Sequence, residues 1–244
     1  MFNLHGVIRR RILVNYRVDP RVVAAQLPPG LEPFLIDGNA MAGICLIRLE
    51  HLRPRTVPAW LGASSENAAH RVAVTWKAAG GTEQAGVYIP RRDTDSKLNY
   101  CVGGRLFPGI HRLASFDVRD SDGLIEIAMK SRDDAVSVRV AGHATDEFPA
   151  NSIFGSLGDA SAFYEGGCDG YSDTRDPNRL DGLRLKTDQW KVQPMRVDKV
   201  ESSYFANADA FPAGSVEFDC ALLMRNVPHE WERTGDLVIG DLAA

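Results

Sequence analysis

Residues 7–18, VIRRRILVNYRV, place Arg9, Arg11 and Leu13 on one side of an extended chain and Ile8, Ile12 and Val14 on the other. A period of two is the pattern of a β-strand, here with one face partly polar. Working outward, Asp19 caps a short helix that Pro20 opens and that runs through Val22, Val23 and Leu27 until Pro28, Pro29 and Gly30 stop it. Residues 31–36 and 41–49 read as a hairpin about Asp37-Gly38-Asn39, and 70–78 with 84–90 as a second pair joined through Gly80 and Gly81. A short helix over 95–103 precedes strands at 111–118, 124–130 and 136–144. Further on, the expectation is a helix over 156–164, a long Gly- and Asp-rich loop over 165–181, and strands over 183–200 and 215–224. No repeat or linker divides the chain. The pattern predicts one domain over 1–244, of α+β class and mostly antiparallel β.

Composition narrows the function. A chain of 244 residues, 44% hydrophobic, has enough apolar surface for a full core. A net charge of -4 without a basic stripe argues against nucleic acid as a partner. The longest uncharged apolar stretch, 40–47, is far short of the ~20 residues of a membrane span, so no membrane partner is expected. Cys45, Cys101, Cys168 and Cys220 show no CxxC spacing, which suits reduced thiols in a cytoplasmic protein. The six histidines lack HxxxH and HxH spacings, and no GxGxxG, GxxxxGK[ST] or GxSxG motif is present. No metal and no cofactor is therefore expected. Self-association into a homo-oligomer stays open.

Chemistry concentrates in residues 86–112, GVYIPRRDTDSKLNYCVGGRLFPGIHR. Charges flanked by Tyr88, Tyr100 and Phe107 compose a polar site with apolar walls, the makings of a small-molecule pocket. His111 is a candidate general acid or base, or else an imidazole bonded to a loop carbonyl. Arg91, Arg92, Asp93 and Asp95 form an anion site or a capped helix start. Arg105, between paired glycines and Leu106-Phe107, is expected to point inward. Glu66, His70 and Arg71, in SSENAAHRV, make a second polar knot that reads either as a site or as a half-buried ion pair.

RRRILVNYRVDPRVVAAQLPPGLEP resembles the opening strand and helix of the acetoacetate decarboxylase superfamily. AGICLIRLEHLRP, SSENAAHRVAVTW, GVYIPRRDTDS and GGRLFPGIHRLASF together resemble its uncharacterised YqjF-like family, DUF2071. The resemblance implies an acetoacetate decarboxylase-like cone or barrel of largely antiparallel strands round an internal pocket, with a few short helices. By the Y-R-x-D register it also implies that the pocket arginine falls on Arg9, where it would pair with a substrate carboxylate. The namesake enzyme uses a Schiff-base lysine, and the comparable stretch here, residues 104–112, contains none. Two readings follow. One is an enzyme acting by acid/base chemistry on a small carboxylate or carbonyl compound, with His111 and Glu66 catalytic and Arg9, His70, Arg71, Arg91 and Arg105 binding substrate in one cavity. The other is a non-catalytic binder of a small apolar or acidic ligand.

Overall fold

The computed structural model describes residues 3–78, 80–104 and 107–242. The strands are β1 (Asn3–Val18), β2 (Glu32–Pro33), β3 (Leu35–Ile36), β4 (Asn39–Pro54), β5 (Ala63–Lys77), β6 (Glu83–Thr94) and β7 (His111–Ser121). They continue with β8 (Leu124–Ser131), β9 (Ser137–Ala144), β10 (Asp169–Asp173), β11 (Arg179–Lys186), β12 (Gln193–Ser202), β13 (Val216–Arg233) and β14 (Leu237–Val238). Among the described residues four short α-helices intervene, α1 (Pro20–Ala24), α2 (Lys97–Val102), α3 (Leu157–Gly166) and α4 (Ile239–Leu242), with a 3-10 turn at Ala59–Leu61. None is long and apolar enough to cross a membrane.

Hydrogen-bonded strands run in the order β14-β11-β10-β6-β7-β8-β9-β12-β13-β1-β4-β5-β2, with β3 on β4, and the extra pairings β5–β6 and β11–β13 turn this path back on itself. Two rings result. The first follows β6, β7, β8, β9, β12, β13, β1, β4 and β5; the second follows β6, β10, β11, β13, β1, β4 and β5. The long strands β13, β1, β4, β5 and β6 are common to both and form a dividing wall. Most pairings are antiparallel; β6 with β7 and β6 with β10 are parallel.

A wall buried on both faces explains the apolar runs. Ile12, Val14, Ile44, Leu46 and Leu223 join the core of the first ring, whereas Leu13, Cys45, Leu222 and Met224, their direct neighbours in sequence, join that of the second. Alternation sends adjacent residues to opposite faces, so a strand with two dry faces reads as a continuous apolar stretch. Over residues 12–14 this corrects the expectation of a partly polar face, while Arg9 and Arg11 keep β1 polar before them.

The expected elements shift in several places. The loop foreseen over 165–181 instead contains β10 and the start of β11, because residues 170–172 pair with the wall strand β6. The strand foreseen over 183–200 is broken between β11 and β12, which belong to different rings. β5 starts at Ala63, taking SSENAAH into the wall. β6 runs through Thr94, so the cap of α2 is Ser96, whose hydroxyl accepts from the Asn99 N–H, and not Asp93 or Asp95.

Candidate functional site

A cavity of about 310 Å³ lies within the second ring. All seven strands of that ring contribute to its lining, joined by His111 of β7 and by Leu98, Asn99 and Val102 of α2. Its floor is set by register. Cys45 of β4 pairs with Ala69 of β5, Ala69 with Arg92 of β6, and Arg92 with His111 of β7, a single row across four strands. Ala69 is small, which leaves room above the row for the larger side chains at its ends. Arg71 stands one pleat further along β5, opposite Gly43, where a Cβ would lie 2.3 Å from the Val14 carbonyl oxygen.

Among the described residues four arginines line the cavity: Arg53 donates to the His51 and Val57 carbonyls beside Pro54, and Arg11, Arg71 and Arg92 have no carboxylate within 4.0 Å. Their partners are neutral. Arg11 donates from Nε to Cys45 Sγ at 3.3 Å and lies over the Trp190 ring. Arg71, 5% exposed, donates to Asn15 Oδ1 and sits 4.7 Å above the Tyr164 ring. Arg92 donates from Nε to Ser172 Oγ at 2.9 Å. Burial pushes the Arg71 guanidinium below its usual pKa and lowers Arg92 to about 10. Asp93 also reaches the lining but is committed to Arg91, so Arg11, Arg71 and Arg92 keep no counter-charge of their own, which sets the cavity up to receive an anion.

His111 is buried, and its Nδ1 lies 3.1 Å from the Gly109 carbonyl oxygen. A carbonyl can only accept, so Nδ1 carries the proton and Nε2 keeps its lone pair. Burial, and then the charge of Arg92, lowers its pKa to about 3, so the imidazole is neutral near pH 7. Gly103 makes room for it: a Cβ there would fall 2.6 Å from Nδ1.

The remaining sequence candidates lie elsewhere. On β1, Ile8 pairs with Leu49 but Arg10 with Arg48, so Arg9 is the extra residue of a bulge. Arg9 is exposed and bonds Asn226 Oδ1 at 2.5 Å on the outside, while Arg11 takes the place in the cavity. Glu66 and His70 lie on the opposite face of β5 from Arg71, because neighbours on a strand alternate. Glu66 Oε2 accepts from Arg10 Nη2 at 2.7 Å, and the His70 ring packs 4.4 Å from that of Tyr204 in the first ring's core. Arg91 forms a bidentate pair with Asp93, both contacts 2.8 Å, and reaches Asp133 at 2.9 Å. Arg105 lies outside the described residues. Of the residues selected from the sequence, Arg71 and His111 come together; Arg11, Cys45 and Tyr164 were missed, and Arg92 was noted without being chosen. Only the bulge separates Arg9 from Arg11, and a bulge has no signal in the local sequence.

The sequence pattern of DUF2071, a family described as an uncharacterized conserved protein, matches residues 7–227. The chain belongs to that family. No curated protein matches it in sequence. Among solved structures, this DUF2071 protein is similar to acetoacetate decarboxylase from Legionella pneumophila, at 13% identity and TM-score 0.59, covering 96% of this chain and 87% of that one. An acetoacetate decarboxylase-like enzyme from Sphingomonas wittichii RW1 gives 14% identity, TM-score 0.58, and coverage of 96% and 92%. The enduracididine biosynthesis enzyme MppR complexed with pyruvate gives 16%, 0.56, and 98% and 90%. These likenesses establish an acetoacetate decarboxylase-like fold for the DUF2071 chain. Its six lysines, at 77, 97, 130, 186, 191 and 199, are all exposed, and none lines the cavity. Incubation with acetoacetate followed by borohydride is accordingly expected to leave the protein mass unchanged. A single stable adduct on Lys97, Lys186 or Lys191 would reverse that expectation.

Proposed function

We propose that the cavity binds a small organic acid bearing a carbonyl group and that His111 moves a proton at the carbon beside that carbonyl. The observation that carries this reading is the cluster of Arg11, Arg71 and Arg92 around one cavity without a carboxylate partner. The ligand carboxylate supplies the missing negative charge. In the proton transfer the C–H bond breaks, the proton goes to His111 Nε2, and the electron pair passes to the carbonyl oxygen as an enolate, which the guanidiniums stabilise. Arg92 lowers the basicity of His111 in the empty cavity, so an anion bound to Arg92 raises it. The base therefore becomes effective with ligand in place. That MppR has been solved with pyruvate, on the same fold, supports a short keto acid as the first probe.

The test is exchange of the pyruvate methyl protons with deuterium oxide, followed by proton NMR. Wild type is expected to exceed the buffer rate; His111→Gln should lose about 10²-fold or more of the excess, as removal of a general base does. Arg71→Met should weaken pyruvate binding, measured by calorimetry, by about 10- to 100-fold, corresponding to a charge-assisted hydrogen bond. Binding without exchange would leave a carrier of acids, a reading favoured by the predominantly apolar lining of the cavity beyond its arginines.

A further inference from the structure

The cavity is two-ended. Along β1, Arg11 and Leu4 both line it, seven residues apart, which at ~3.3 Å per residue is on the order of 20 Å of strand. At the Leu4 end, Leu4 pairs with Trp231 of β13 and with Pro54 of β4, and Trp231 pairs with Leu185 of β11, so four adjacent strands present an apolar row. Between the two ends, β4 lays down Ile47, Leu49 and Leu52 as a continuous apolar track leading away from Cys45 and the arginines. Arg53, the charged lining residue beside Pro54, is engaged by the His51 and Val57 carbonyls. Leu98, which lines the cavity, is 58% exposed, and Trp60 and Leu61, in the connection between the lining residues Pro54 and Ala63, are 79% and 56% exposed.

A short keto acid would occupy the cationic end and leave the track filled with water against apolar walls. We propose that the ligand is an amphipathic monocarboxylate, its acid group held by Arg11, Arg71 and Arg92 and its hydrocarbon tail lying along the Ile47-Leu49-Leu52 track toward Leu4 and Trp231. This rests on the reading of the cavity as an acid site and specifies what that acid carries. At roughly 30 Å³ for each water-sized group, 310 Å³ holds on the order of ten non-hydrogen atoms, the size of an eight-carbon acid. A second acid group would meet Leu4, Pro54 and Trp231, with Arg53 beside them already donating to the His51 and Val57 carbonyls, so octanedioate serves as the control for this end.

The test is calorimetric titration of the full chain, at constant ionic strength, with straight-chain saturated monocarboxylates of two to twelve carbons. Octylamine, octan-1-ol, pyruvate and octanedioate are run alongside. Kd is expected to fall about fourfold for each added methylene until about eight carbons and then level off. Octylamine and octanol should bind at least 100-fold more weakly than octanoate. Leu52→Ser, at a half-buried rim position, should weaken octanoate several-fold while leaving acetate unchanged, whereas Arg92→Met should weaken every acid by a similar factor. Affinity that is flat with chain length, or pyruvate or octanedioate binding as tightly as octanoate, overturns the tail assignment and leaves the acid site standing. Octanol binding as tightly as octanoate overturns the head assignment. No binding of any acid, short or long, sinks both this inference and the proposed function.

Discussion

Acidification from pH 6.5 downward is expected to unfold this protein through its buried histidines. His70, His111 and His229 are buried, and burial pushes their pKa values down to about 3, about 3 and about 4. In the unfolded chain each returns to about 6.5. Above pH 6.5 the three rings are neutral in both states and the stability they permit is fully present. Between 6.5 and about 4 the unfolded chain binds protons that the folded chain does not, so stability is lost as pH falls through this window. Three such groups give a limiting slope of about 4 kcal/mol per pH unit, against a total stability of about 5–15 kcal/mol for a typical domain. Glu66, Asp93 and Asp173, whose pKa values burial raises, work in the opposite direction as they take up protons below neutrality. They reduce the slope without matching three histidines shifted so far. Far-UV circular dichroism against pH should show a cooperative midpoint between about 5 and 4. His70→Leu, which removes one of the three rings from a site with no hydrogen-bond partner for either nitrogen, should move that midpoint down by roughly half a pH unit. Full retention of structure to pH 3.5 would show that the histidines are paired or hydrated in solution.

Replacement of Glu66 is expected to have the largest mutational effect on stability, and little effect on the cavity. Arg10, with a side chain 4% exposed, donates to Glu66 Oε2 at 2.7 Å, while its other carboxylate, Asp120, lies 3.5 Å away. Glu66→Leu strands a buried guanidinium, a loss of about 3–5 kcal/mol when no other partner compensates. Asp120 places the expected result at the low end of that range, about 3 kcal/mol. The double variant Arg10→Met with Glu66→Leu should recover most of the loss, because an apolar pair of similar volume needs no counter-charge. Urea denaturation measures both. Affinity for the cavity ligand should be unchanged in the folded fraction, since Glu66 faces the first ring and the cavity lies in the second. A collapse of affinity with stability intact would instead place Glu66 in the site.

These contrasts follow from how sequence maps onto a double-ringed sheet. SSENAAHR reads as one polar knot because its charges are adjacent, yet adjacency on a strand is what separates them: His70 enters one ring and Arg71 the other. The same holds for Arg91, which pairs with Asp93 and Asp133, and Arg92, which enters the cavity. Expecting Glu66, His70, Arg71, Arg91 and His111 to meet in one cavity ignored the two sides of the wall. The row Cys45–Ala69–Arg92–His111 draws on four strands from positions 45 to 111, and its members become neighbours only through register.

The sequence by itself determined the β-rich class, the turn at Asp37-Gly38-Asn39, the Asp19-Pro20 helix start, the family, and the absence of lysine from residues 104–112. Those features are local, carried by period, backbone preference or motif, and a short window contains all the physics they need. Tertiary structure alone decided that residues 169–173 form a strand of the second ring, that a bulge expels Arg9 and admits Arg11, and that Arg11, Arg71 and Arg92 share a cavity without carboxylate partners. Each of these depends on which strand lies alongside which, and on one extra residue reversing the facing of every side chain beyond it. Pairing energy is spread over contacts distant in sequence, so no short window records it.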